Sequence, residues 1–202
     1  MRAVVFDVGN VLYHWDPAAL YTKLIRDAGE RAWFLEHVVT PEWHFQHDAG
    51  RPFAETSAEL GALFPAHQHL INAWGPRFDE TVVGPIDGML ELVNVLHDAG
   101  IALFAITNFS AEFWAPFRAK RSAVFDRFQD ILVSGEERLV KPDPAIFALA
   151  RSRFKLSAND SLFIDDRREN VSAAEKLGFL GHHFTSYAAL APVLRQFKLP
   201  YP

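Results

Sequence analysis

The chain has 202 residues, half of them hydrophobic, no cysteine and a formal net charge of −5. That is enough for one good core, or a core plus a small inserted module, and it rules out disorder as the main theme. An acidic chain with scattered basic residues has no electrostatic footprint for nucleic acid or an anionic membrane. Without cysteine, disulfides, thiolate catalysis and cysteine-held metals are excluded, so any metal must be held by oxygen or imidazole. No apolar run approaches transmembrane length, and the N-terminus reaches Asp7 too soon for a signal-peptide core; a soluble cytoplasmic protein is expected.

The first predicted element is a buried strand over Ala3–Phe6, stopped by Asp7 and followed at once by the turn-forming pair Gly9-Asn10. A carboxylate at the tip of a buried strand is placed where ligands bind in parallel α/β sheets. Asp7 capping the following turn would use the same residue. Between Asp16 and Gly84 strand signals vanish. Trp15, Trp33, Trp43 and Trp74 sit among helix-spaced apolar positions, with plausible helix starts at Asp16-Pro17 and Pro52. This reads as an all-helical insertion over residues 16–84, with an aromatic stripe that packs as ordinary helical core. Gly84-Pro85 marks the return to the main domain, residues 1–15 and 85–202, and Met89, Leu90, Leu92, Val93 and Leu96 give the next helix its buried face.

From there strand-like runs at Ile101–Ile106, Ile131–Ser134, Ser161–Ile164 and Leu180–Phe184 alternate with helical patterns, which predicts a parallel sheet. Its strand tips carry polar groups. Thr107-Asn108-Phe109-Ser110 offers a hydroxyl and backbone amides to an anion, although an N-cap at Ser110 or Asn108 would look the same. Lys141, in Val140-Lys141-Pro142-Asp143-Pro144, precedes a proline-initiated helix and suits a point charge facing phosphate; a solvated loop lysine is the plainer alternative. Asp165-Asp166 ends the fourth strand. Two adjacent carboxylates beside Asp7 repel one another at low dielectric, and a hard dication such as Mg²⁺ would relieve them. Asn170, one helical turn further, can orient the pair.

Read in order, Asp7, Thr107, Lys141 and Asp165-Asp166 resemble the four-motif signature of the haloacid dehalogenase superfamily. The resemblance implies a Rossmann-like α/β core with an α-helical cap inserted after the first motif. Asp-Val-Gly-Asn-Val and the insertion segment Phe45-Gln46-His47-Asp48-Ala49-Gly50 look like the sugar-phosphate phosphatase group that includes alpha-D-glucose-1-phosphate phosphatases. It further implies Asp7 as nucleophile, Thr107, Asn108 and Lys141 on phosphate oxygens, and Asp7, the Gly9 carbonyl and Asp166 on Mg²⁺, with Asp165 and Asn170 in support. The expected activity is hydrolysis of a small phosphorylated metabolite through an aspartyl-phosphate, by a monomer or homodimer. A haloacid dehalogenase using Asp7, or a binding scaffold, stands as the alternative. Trp43, His44, Phe45 and His47 are the expected substrate contacts of the cap.

One position departs from the pattern. Many phosphatases of the superfamily carry a second aspartate two places after the nucleophile, which protonates the leaving group; here Gly9 stands there. Loss of a positioned acid typically costs about 10²–10⁴-fold. The sequence leaves three readings: an easy leaving group, a proton from His44 or His47, or slow turnover.

Overall fold

The computed structural model describes residues 2–202. Seven strands are found among them: β1 (Ala3–Phe6), β2 (Tyr13–Trp15), β3 (Val82–Pro85), β4 (Ala102–Thr107), β5 (Asp130–Val133), β6 (Ser161–Asp165) and β7 (Leu180–His183). Five of them form one parallel sheet in the order β5-β4-β1-β6-β7, with β1 at its centre. Strand periodicity splits the apolar side chains between two faces. Val4, Phe6, Leu103, Ala105, Leu162 and Ile164 pack with the Met89–Asp98, Ala111–Ala119 and Tyr187–Gln196 helices. Val5, Phe104, Ile106 and Phe163 pack against the Pro144–Arg153 and Arg168–Lys176 helices. The result is an α/β fold with a parallel sheet buried on both faces, which explains why its strands read as continuous apolar runs.

Between β2 and β3 the chain forms the Pro17–Tyr21, Ala28–His37, Pro41–Asp48, Phe53–Leu63 and Gln68–Ala73 helices. Their starts are written locally: the side chains of Asp16, Asp27 and Thr40 accept from backbone amides of the first turn. The centre of this insertion is Trp74, wholly buried among Tyr21, Trp43 and Phe78 with ring centroids 5.7–6.1 Å away. Phe78 also stacks on Phe113 at 4.8 Å and meets Phe109 edge-on, so the insertion is cemented to the loop and helix that follow β4.

Both crossings into and out of the insertion run side by side, because β2 and β3 pair antiparallel. The strand β3 lies in a stretch where the sequence shows no strand signal before Gly84. Strands of three and four residues, with Val83 exposed, are too short to display an alternation. None of the described helices is long and apolar enough to cross a membrane.

Candidate active site

Parallel pairing brings the C-terminal tips of β1, β4 and β6 to one rim. Phe6 stands opposite Ala105 and Ile164, so Asp7, Thr107 and Asp165 emerge within a residue or two of one another. Lys141 reaches the same point from the loop before the Pro144–Arg153 helix, and its side chain is 1% exposed. Its ammonium lies 2.9 Å from Asp7 Oδ1 and 2.7 Å from Asp165 Oδ2. A loop lysine is therefore a buried bridge between two carboxylates rather than a solvated charge.

The backbone of Lys141 is fixed by Asn108, whose Oδ1 accepts from the Lys141 amide at 2.8 Å and whose Nδ2 donates to the Lys141 carbonyl at 3.0 Å. The Asn108 side chain is thus occupied in holding the lysine. Asp165 is equally committed: it also accepts from Asn170 Nδ2 at 2.9 and 3.1 Å and from the Arg167 amide at 2.8 Å. Asp7 differs. Its Oδ1 takes the Lys141 ammonium and the Val8 amide, and no hydrogen bond or ion pair to Oδ2 is found among the described residues. Thr107 is 1% exposed and its hydroxyl has no partner among the described residues, an arrangement that costs free energy unless an incoming acceptor uses it.

Ligand oxygens of Asp7, Asp165 and Asp166 lie within 4.8 Å of one another. One lysine does not neutralise three carboxylates. Burial, opposed by Lys141 and reinforced by Asp165 and Asp166, pushes Asp7 up to about 7, and burial followed by the Asp165 charge raises Asp166. An all-oxygen set short of positive charge fits Mg²⁺ rather than a soft metal.

Above this floor is a cavity of about 220 Å³ whose walls include Tyr13, Trp15, Phe78, Phe109 and Phe117. The insertion contributes Pro41, His44, Phe45 and Asp48 to the lining. Of the four aromatic and histidine positions singled out in that helix, His44 and Phe45 line the cavity. Trp43 and His47 turn inward: Trp43 Nε1 donates to the Thr56 carbonyl, and His47 Nε2 shares a 2.6 Å hydrogen bond with Thr56 Oγ1. Helical geometry explains the division, since adjacent positions face directions about 100° apart.

Asp48 escaped the sequence reading. It is 6% exposed, its Oδ1 has no hydrogen-bond partner among the described residues, and Oδ2 lies 3.6 Å from His44 Nε2. Burial, then the charge on Asp7, lift its carboxyl to about 8 against the pull of Lys141 and the Ser110 backbone. Burial and the neighbouring His47 bring His44 down to about 3. At neutral pH the two therefore meet as an uncharged imidazole and a largely protonated acid, not as an ion pair. A signal existed: Asp48 ends the Pro41–Asp48 helix, where the macrodipole disfavours an acidic side chain.

The model of the haloacid dehalogenase-like hydrolase family matches residues 1–178. Among curated proteins, a sesquiterpene phosphatase of Aspergillus oryzae is 27% identical over 96% of this chain and 95% of its own length. A phosphoglycolate phosphatase of Pseudomonas fluorescens is 31% identical over 88% of this chain and 66% of its own length. A family enzyme of Bacteroides thetaiotaomicron, solved as an Asp-to-Ala mutant with magnesium and inorganic phosphate, superposes with a TM-score of 0.71. It is 18% identical, over 93% of this chain and 95% of that one, a likeness of fold.

Proposed function

Because this chain belongs to the haloacid dehalogenase-like hydrolase family, we propose that it is a Mg²⁺-dependent phosphatase that hydrolyses a small phosphomonoester through an aspartyl-phosphate on Asp7. The observation that carries the reading is the buried Lys141 bridge between Asp7 and Asp165, beside the unpartnered Thr107 hydroxyl. Phosphoryl transfer is mainly a matter of positioning and charge stabilisation, and these groups supply both. Asp7 Oδ2 is free to attack phosphorus while Lys141 holds Oδ1. The Thr107 hydroxyl and the amides that follow β4 donate to the phosphoryl oxygens, and Lys141 balances the charge that builds there. Asn108 contributes by fixing Lys141, and Asn170 by holding Asp165.

Asp7, Asp166 and the Gly9 carbonyl would hold the Mg²⁺. Bound, the ion neutralises the carboxylate cluster and the phosphoryl oxygens. Residues 16–84 act as the cap, which excludes water and selects the alcohol part of the ester.

The aromatic walls favour an ester whose alcohol portion is largely apolar over a hexose phosphate, whose hydroxyls would need polar partners. The likeness to a sesquiterpene phosphatase over nearly the whole chain supports the same substrate class. The test is phosphate release from prenyl, sugar and aryl phosphates with Mg²⁺, wild type against Asp7→Asn. Phosphate release by a folded Asp7→Asn variant at the wild-type rate sinks the assignment. Halide release from haloacids that persists in EDTA would identify a dehalogenase instead.

A further inference from the structure

Gly9 cannot move a proton, and the insertion places a carboxyl over the same cavity. We propose that Asp48, carried over the cavity by the cap, is the general acid and base of this enzyme, a role that rests on the phosphatase reading above. Three independent features point to it. The side chain is nine-tenths buried yet lines the same cavity as Asp7, Gly9 and Lys141. Its Oδ1 is buried without a hydrogen-bond partner among the described residues, a cost that a hydrogen bond to a substrate oxygen would relieve. And the residue is anchored rather than loose, because Ser134 Oγ, next to the end of β5, donates to the Asp48 carbonyl at 2.6 Å.

The alternatives within the cap fit less well. His47 is spent on Thr56 and does not line the cavity, while His44 is held neutral by burial and stacks on Trp15 with ring centroids 4.9 Å apart. The groups that act on the Asp48 carboxyl are His44 on its own helix, Asp7 at the tip of β1, Lys141 on the loop before the Pro144–Arg153 helix and the Ser110 backbone after β4. Burial among them keeps it protonated near neutrality, the state an acid must start from.

The two steps balance. As Asp7 Oδ2 bonds to phosphorus, the phosphorus–ester oxygen bond breaks, its electron pair stays on the ester oxygen, and that oxygen takes the Asp48 proton and leaves as the alcohol. Water then attacks the aspartyl-phosphate and gives a proton to the Asp48 carboxylate. The Asp7–phosphorus bond breaks, phosphate departs, and both residues return to their starting states. A proton donor mounted on the cap works only when the cap is seated, so ester cleavage is coupled to closure.

The experiment is a leaving-group series: alkyl phosphates, phenyl phosphate, and aryl phosphates up to dinitrophenyl phosphate, with Mg²⁺, for wild type and Asp48→Asn, each checked by thermal unfolding. The expected result is a loss in kcat/KM, which reports the steps up to alcohol departure, of about 10²–10⁴-fold on alkyl phosphates and of less than about tenfold on dinitrophenyl phosphate, whose oxygen leaves without a proton; kcat, which includes hydrolysis of the aspartyl-phosphate, falls for both. A uniform loss in kcat/KM across the series, or none, overturns the proposal while leaving the phosphatase reading intact; wild-type inactivity on every phosphate overturns both. Should the variant not fold, the wild-type pH profile decides. The rate on alkyl phosphates must fall with rising pH along a limb that dinitrophenyl phosphate lacks, and a shared limb rejects the role.

Discussion

Replacing Lys141 with methionine tests how the site is held together. Methionine keeps an unbranched apolar stem of similar length but leaves Asp7 and Asp165 without the ammonium that now lies 2.9 and 2.7 Å from them. Removing one partner of a buried ion pair costs about 3–5 kcal/mol, because the remaining charge is uncompensated. For a domain of this size, about 2–4 °C of melting temperature corresponds to each kcal/mol, which gives a fall of roughly 6–20 °C. The sign of the pH dependence follows from the carboxylates. Asp7 already sits at about 7 in the folded protein, above its unfolded value, and losing Lys141 raises it further. A raised folded value means stability that is fully present at low pH and lost as pH rises through the folded value. The deficit of the variant is therefore large at pH 8 and shrinks toward pH 5. Calorimetry in EDTA at the two pH values measures it, and Lys141→Met with Asp165→Asn should regain part of the loss. A deficit independent of pH, or no deficit at all, would show that the bridge does not carry the charge balance assigned to it.

Other expectations concern metal, proton and core. Mg²⁺ at about 100 times its dissociation constant should stabilise the wild type by about 2.7 kcal/mol, and Asp166→Asn should abolish most of that shift in differential scanning fluorimetry. Gly9→Asp introduced into Asp48→Asn should restore at least about tenfold of the lost alkyl phosphatase rate, since a Cβ at Gly9 meets no atom within 4 Å; no recovery would show that a carboxyl there does not reach the ester oxygen. Trp74→Ala should cost about 3–5 kcal/mol in chemical denaturation, because this wholly buried ring joins three aromatic neighbours.

The sheet was legible because its strands are buried on both faces and so stand out as short apolar runs; Ala3–Phe6 matches residue for residue. The rim was legible because parallel strands share one end, which makes Asp7, Thr107 and Asp165 neighbours. Three things were not readable. The ribbon of β2 and β3 is too short to alternate. Which way adjacent positions Trp43 and His44 point depends on the roll of the helix against its neighbours, and composition does not encode that. Asp48 stood beside two histidines that drew attention as proton donors, and only packing shows that His47 turns away to Thr56 while Asp48 lines the cavity.

The central place of β1 in the sheet also fixes an order of events during synthesis. Ala3 pairs with Ala102 on one side and with Ser161 on the other, so β1, made before the other four strands of its sheet, is among the last to be completed. The helices of residues 17–73 pack on one another and can begin to assemble while β1 still waits, although Phe78 and Asp48 meet Phe113 and Ser134 only later. Contacts between residues so distant in sequence slow folding, and an unpaired apolar strand is exposed to association in the meantime. A nascent chain halted before β6 should therefore carry a partly ordered insertion and an aggregation-prone β1, and Asp7 acquires its surroundings only once Asp165 and Asp166 have been made.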